Sequence, residues 1–141
     1  MELTPRQKRR VVIRWMWIPP CAILAWYASL LLGMALNSLA TLFCPSDAMI
    51  GDFCSAAWFR TVERDIVIGC AGVAALAVVV VSAVTAPMFR VRAAAVAFLV
   101  AVAVAFNMVS HTNAYTEFTA AVVGGLLGVF IASRLPQNIE L

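Results

Sequence analysis

Four long hydrophobic stretches, separated by short polar ones, divide the chain. They predict helices over residues 15–43, 66–86, 93–110 and 114–133, each close to or above the roughly 20 residues that an α-helix needs to cross a bilayer. The polar stretches between them are too short for a separate domain. The sequence therefore predicts an all-α integral membrane protein, in which residues 1–141 form one antiparallel up-down bundle of four transmembrane helices.

The last hydrophobic segment carries small residues at every fourth position, Ala120, Gly124, Gly128 and Ala132. Four residues are just over one helical turn, so these positions form one stripe along one face of the helix. In lipid, small residues let two helix backbones approach closely, and this contact drives helix association. The stripe predicts that this segment packs tightly against another helix.

The first segment repeats the pattern with a more polar character, at Ala25, Ser29, Gly33 and Asn37. This similarity makes the first segment the expected partner of the fourth within the chain. The third segment has an alanine stripe, which alanine-rich helices also produce by chance, at Ala93, Ala97, Ala101 and Ala105. A stripe that no helix of the chain covers would be a docking face for a partner protein.

Composition supports a membrane location. The chain has 141 residues, of which 64% are hydrophobic and 12% charged, whereas soluble domains are roughly 45–50% apolar. The excess apolar surface is expected to face membrane lipid. The net charge is +3, and because the basic residues flank the hydrophobic segments, they do not indicate nucleic-acid binding.

The distribution of basic residues predicts the orientation. Four alternating spans put the N-terminal head, the turn after the second segment and Arg134 on one side, with eight of the ten basic residues. The positive-inside rule assigns that side to the cytoplasm. We therefore expect a multi-pass protein of the bacterial inner membrane with both termini cytoplasmic and the 44–65 loop in the periplasm.

Two cysteines of this loop, Cys44 and Cys54, are expected to form a disulfide, because the periplasm is oxidising. Two free thiols, or redox or metal chemistry, are the alternatives. The Cys-x-x-Cys spacing of redox enzymes is absent from this pair. Cys21 and Cys70 fall within membrane segments, where cysteine acts as a small apolar side chain.

A possible polar site lies near the turn between the third and fourth segments, at Asn107, His111 and Glu117. Ionisable groups at membrane depth are functional candidates. The simpler interpretation is structural: Thr112 or Asn113 caps the start of the fourth helix, and Glu117 complements its dipole. One histidine and one carboxylate are too few to hold a metal, so neither a metal nor another cofactor is expected.

The sequence favours a non-enzymatic role, because no catalytic motif is present and no charged residue lies at the centre of a segment. The first hypothesis is a small accessory subunit that binds, stabilises or regulates a larger membrane protein through its small-residue helix faces. The alternatives are a small transporter or channel formed by homo-oligomerisation, and an immunity protein against a pore-forming toxin. The chain resembles small multidrug transporters in size and helix count, but its first segment lacks their glutamate.

Overall fold

The computed structural model describes residues 5–51, 53–86 and 89–135. The described chain contains four long α-helices: α1 Pro5–Thr41, α2 Ala57–Thr85, α3 Arg90–Thr112 and α4 Tyr115–Arg134. All four are long and apolar enough to cross a membrane. Many of their large apolar side chains point outward and are exposed. The chain is therefore a multi-pass, all-α membrane protein.

Helices α1 and α2 begin well before the residues at which hydropathy predicted them to start. Helix α1 begins before residue 15 and continues through Pro19 and Pro20. Residues 57–65 of the predicted 44–65 loop form the first turns of α2. Hydropathy marks only the part of a helix that suits lipid, whereas the backbone hydrogen bonds of the helix continue into the polar flank. Hydropathy therefore predicts the first residue of each of these two helices too late in the chain.

Helix α2 is the centre of the bundle, with α1 packed on one side of it and α3 and α4 on others. Helices α3 and α4 also contact each other. The expected pairing of the first and fourth segments is wrong, because each of them packs on α2 instead. The similar stripes of α1 and α4 both pack against α2, and the stripes alone do not identify this shared partner.

The tightest core lies where α2, α3 and α4 meet. Val79, Ala83 and Ala94 are fully buried there, and Ala132 is 1% exposed. The ring of Phe98 packs against this cluster. Small side chains dominate the contact, so the three helices come close together, as expected for helices in lipid.

The two ends of the bundle differ in charge, and we name them by this difference. The basic end is where α1 and α3 begin and α2 and α4 end, and it carries Arg14, Arg92 and Arg134. The loop end is where α1 is joined to α2 and α3 is joined to α4. Helices α1 and α3 thus run from the basic end to the loop end, and α2 and α4 return.

The α3–α4 turn corrects the capping prediction. Asn113 has a left-handed backbone (φ 57°) and caps the end of α3, with its N–H donating to the Val109 carbonyl. Asparagine is one of the few residues that adopts this conformation readily at a helix C-terminus. The Thr112 hydroxyl donates to Met108 O (3.0 Å), and α4 begins after Ala114 without a side-chain cap. Thr112 and Asn113 therefore both form hydrogen bonds at the end of α3.

Candidate functional site

The small-residue stripe of α4 lies against α2. A Cβ on Gly124 would collide with the carbonyl oxygen of Gly72, and a Cβ on Gly72 would lie 3.2 Å from Ala120 O. Further along, a Cβ on Gly128 would come within 2.9 Å of Val79 Cβ. The two backbones therefore touch where the helices cross. This face is used inside the chain and is not free for a partner.

The stripe of α1 also faces α2. Gly33 lies beside Cys70, whose sulfur would be 3.3 Å from a Cβ on that glycine. Ser29 is buried, and its hydroxyl donates to Ala25 O in its own helix (3.0 Å). The hydroxyl is thus satisfied locally, and Ser29 acts here as a small packing residue.

Asn37 stands one turn beyond Gly33 on the same face. Its Oδ1 is buried and accepts no hydrogen bond within the described part of the chain. This amide oxygen therefore accepts no interhelical hydrogen bond from the described residues. A buried acceptor without a donor lowers the free energy of unfolding by about 1–3 kcal/mol. Asn37 is therefore a destabilising residue in the α1–α2 contact.

The structure does not assemble the predicted polar site at the loop end. Asn107 and His111 are exposed on α3, and Glu117 lies in the first turn of α4. Glu117 accepts a hydrogen bond from the Thr116 hydroxyl (2.8 Å), but no hydrogen bond or ion pair joins it to His111 within the ranges described. Across those ranges, no three His, Cys, Asp or Glu side chains come close enough to hold a metal ion.

The loop between α1 and α2 is compact. A short hairpin pairs Met49–Ile50 with Phe53–Cys54, and Gly51 in its turn has the positive φ (63°) that glycine tolerates best. Cys44 and Cys54 form a disulfide (S–S 2.03 Å), as the sequence predicted. Both ends of the hairpin are thereby attached to the end of α1. Large apolar side chains remain exposed on it, Phe53 at 80%.

A groove with a volume of about 1050 Å³ lies between α1 and α3. Helix α2 contributes alanines to its floor, among them Ala71, Ala74 and Ala75. The alanine stripe of α3, Ala93 to Ala105, lines one wall, and the exposed valines Val96 and Val100 stand at its rim. The opposite wall comes from the first half of α1, between Trp15 and Trp26.

The groove is apolar between charged ends. Its hydroxyl groups are satisfied in their own helices, since Ser82 donates to Val78 O (2.7 Å) and Thr112 donates to Met108 O. Arg92 lines the basic end, its guanidinium 5.0 Å from the centre of the Phe89 ring. Glu117 lines the loop end. The groove can therefore hold an apolar body with opposite charges at its two ends.

Among the described residues, the lining of the groove provides no continuous polar path. A homo-oligomeric transporter would need polar side chains along its path, and five candidates in the helices are Ser29, Asn37, Ser82, Asn107 and His111. Of these five, only Ser82 lines the groove, and its hydroxyl is already engaged by Val78 O.

Two features of the site escaped the sequence-based expectations. The α2 residues that face α4, Gly72 and Val79, are seven residues apart, so they do not form a four-residue stripe of small residues. The groove arises because α1 packs on α2 away from α3, a choice that no local pattern encodes. The alanine stripe of α3, discounted as a chance pattern, was the one sequence signal for it.

Comparison of the chain with protein-family models, curated proteins and solved structures finds no match.

Proposed function

We propose that this protein is a small accessory subunit of the bacterial inner membrane, which binds and stabilises or regulates a larger membrane protein. The observation that carries the proposal is the groove between α1 and α3. Its floor and one wall are rich in alanine, the type of surface on which membrane helices associate. The α4 stripe is already covered by α2, so the groove is the best remaining docking face.

The proposed orientation places the basic end in the cytoplasm, following the positive-inside rule. The loop end then faces the periplasm, where the Cys44–Cys54 disulfide would persist. The hairpin forms a second contact surface in this proposal, because Ile50 and Phe53 are largely exposed at its tip. A subunit with these two surfaces can hold a partner both within the membrane and at its outer edge.

Co-purification tests the proposal. The chain is isolated in a mild detergent from its native membrane, and bound proteins are identified and quantified. We expect one larger membrane protein in a fixed ratio, and its loss by at least tenfold in Ala97→Phe, which places a ring in the groove.

Val123→Phe is the matched control, because Val123 is 57% exposed on α4 and does not line the groove. It should retain the partner. Purification of the native chain alone, as a monomer or a simple homo-oligomer, would overturn the proposal.

A further inference from the structure

We infer that the groove receives a single transmembrane helix of another protein, inserted antiparallel to α1 and α3. The N-terminus of that helix lies at the loop end and its C-terminus at the basic end. The inference rests on the proposed function and goes further, since it specifies the kind of element bound and its direction.

The α3 wall of the groove is as long as a complete membrane span, and the α1 wall, from Trp15 to Trp26, flanks its basic-end half. On α3 the groove extends from Arg92 to Thr112, which corresponds to a rise of about 30 Å at 1.5 Å per residue. The hydrocarbon core of a bilayer is about 30 Å thick. One lipid acyl chain belongs to one leaflet and covers about half of this length, whereas a spanning helix covers all of it.

The shape of the groove also suits a helix. Alanines of α2 and α3 form the floor and one wall, so a helix backbone can approach them closely. The rim valines Val96, Val100 and Val104 are each about 60% exposed and available to pack against its sides. The mid-depth lining is apolar, as the apolar surface of a spanning helix requires.

Charge decides the direction of the bound helix. A helix is partly positive at its N-terminus and partly negative at its C-terminus. Glu117 at the loop end favours the N-terminus, and Arg92 at the basic end favours the C-terminus. This direction opposes both α1 and α3, so the up-down alternation of the bundle continues into the partner.

A second copy of this chain does not meet these conditions. In the same membrane orientation, its α1 and α3 would run parallel to the groove walls, and its α2 is already packed by three helices. Its α4 has the required direction, but it would place like charges together at both ends of the groove. Arg134 of the second copy would lie near Arg92, and Glu117 of the second copy would lie near Glu117 of the first. The groove therefore fits a different protein.

Site-specific photo-crosslinking in the native host tests both the occupant and its direction. A diazirine analogue of leucine replaces Val96, Val100 or Val104 in separate experiments, and mass spectrometry maps the adducts. We expect adducts with one transmembrane segment of one other protein. As the label moves from 96 to 104, the crosslinked residue should shift toward the N-terminus of that segment.

Position 123 is the matched control, because Val123 is 57% exposed and Val100 58%, but Val123 lies outside the groove. We expect at least tenfold less protein adduct there. Arg92→Gln should lower the yield at position 100 severalfold. Arg134→Gln should not, although its guanidinium lies in a similar position, 5.2 Å from the centre of the Phe130 ring.

Each contrary result has a distinct meaning. A shift in the opposite direction, adducts with lipid alone, adducts with the chain itself, or no excess over position 123 would each overturn the inference. If a co-purifying partner crosslinks only through the hairpin or α4, the proposed function stands and the groove assignment fails. If no partner co-purifies, both fail.

Discussion

The carbonyl oxygen of Gly72 occupies the space that a side chain on Gly124 would need. This contact fixes the distance between α2 and α4. Even the smallest side chain at residue 124 would push the two backbones apart.

We therefore expect Gly124→Ala to destabilise the bundle, by about 1–3 kcal/mol for an overpacked core. Gly69→Ala is the matched control, because Gly69 is a glycine inside α2 whose added Cβ would meet open space. Alanine is about 1 kcal/mol better than glycine in a helix interior, so Gly69→Ala should be neutral or stabilising. SDS-induced unfolding in mixed micelles measures both, and equal effects would refute the close contact.

The α1–α2 contact predicts a specific coupling. Gly33→Ala brings a methyl group to 3.3 Å from the Cys70 sulfur, so it should be less favourable than Gly69→Ala, whose Cβ meets open space. Cys70→Ala removes that sulfur and should make the Gly33 substitution harmless. A double-mutant cycle then gives a coupling of about 0.5–3 kcal/mol, the range for residues in contact. Additive effects would show that the two residues do not touch.

Asn37→Leu is expected to stabilise the protein. The change removes a buried Oδ1 that accepts no hydrogen bond among the described residues and keeps a similar volume. Relief of such an acceptor is worth about 1–3 kcal/mol. Asn107→Leu is the comparison, since Asn107 is already exposed and should respond less. Destabilisation by Asn37→Leu would mean that the amide has a donor after all.

The disulfide predicts a simple thiol count. Alkylation of the unfolded, unreduced chain should add two groups, at Cys21 and Cys70, and prior reduction should raise the number to four. Replacing both Cys44 and Cys54 by serine should cost about 2–3 kcal/mol, the loop-closure value for a separation of 10 residues. Four alkylations without reduction would show that the bridge does not form in the cell.

Orientation can be tested with the same chemistry. After mild reduction of intact cells, a membrane-impermeant maleimide should label Cys44 and Cys54, because the proposed orientation puts them outside. A cysteine placed at Arg9, on an otherwise cysteine-free chain, should be labelled only after the cells are opened. The reverse pattern would invert the proposed topology without changing the bundle.

Hydropathy was sufficient to find the four helices, since each apolar stretch must face lipid. The position of Cys44 and Cys54 in one predicted periplasmic loop was sufficient to predict their disulfide. The choice of neighbours was not predictable in the same way. Small residues show that a helix face packs closely, but they do not name its partner. The carbonyl next to Gly124 belongs to α2, in which small residues do not recur without a break at every fourth position. The groove had the weakest signal, because Ala97 and its neighbours also occur by chance in alanine-rich helices.

The Gly72–Gly124 crossing also has a consequence for biosynthesis. At about 5–20 residues per second, several seconds separate the synthesis of these two glycines. During that interval α1 and α2 can enter the membrane as a pair, but the face of α2 that will hold α4 stays open. A ribosome that stalls before the last helix would thus leave an inserted but incomplete chain. The uncovered face of α2 in that chain is a surface that membrane proteases and chaperones can recognise.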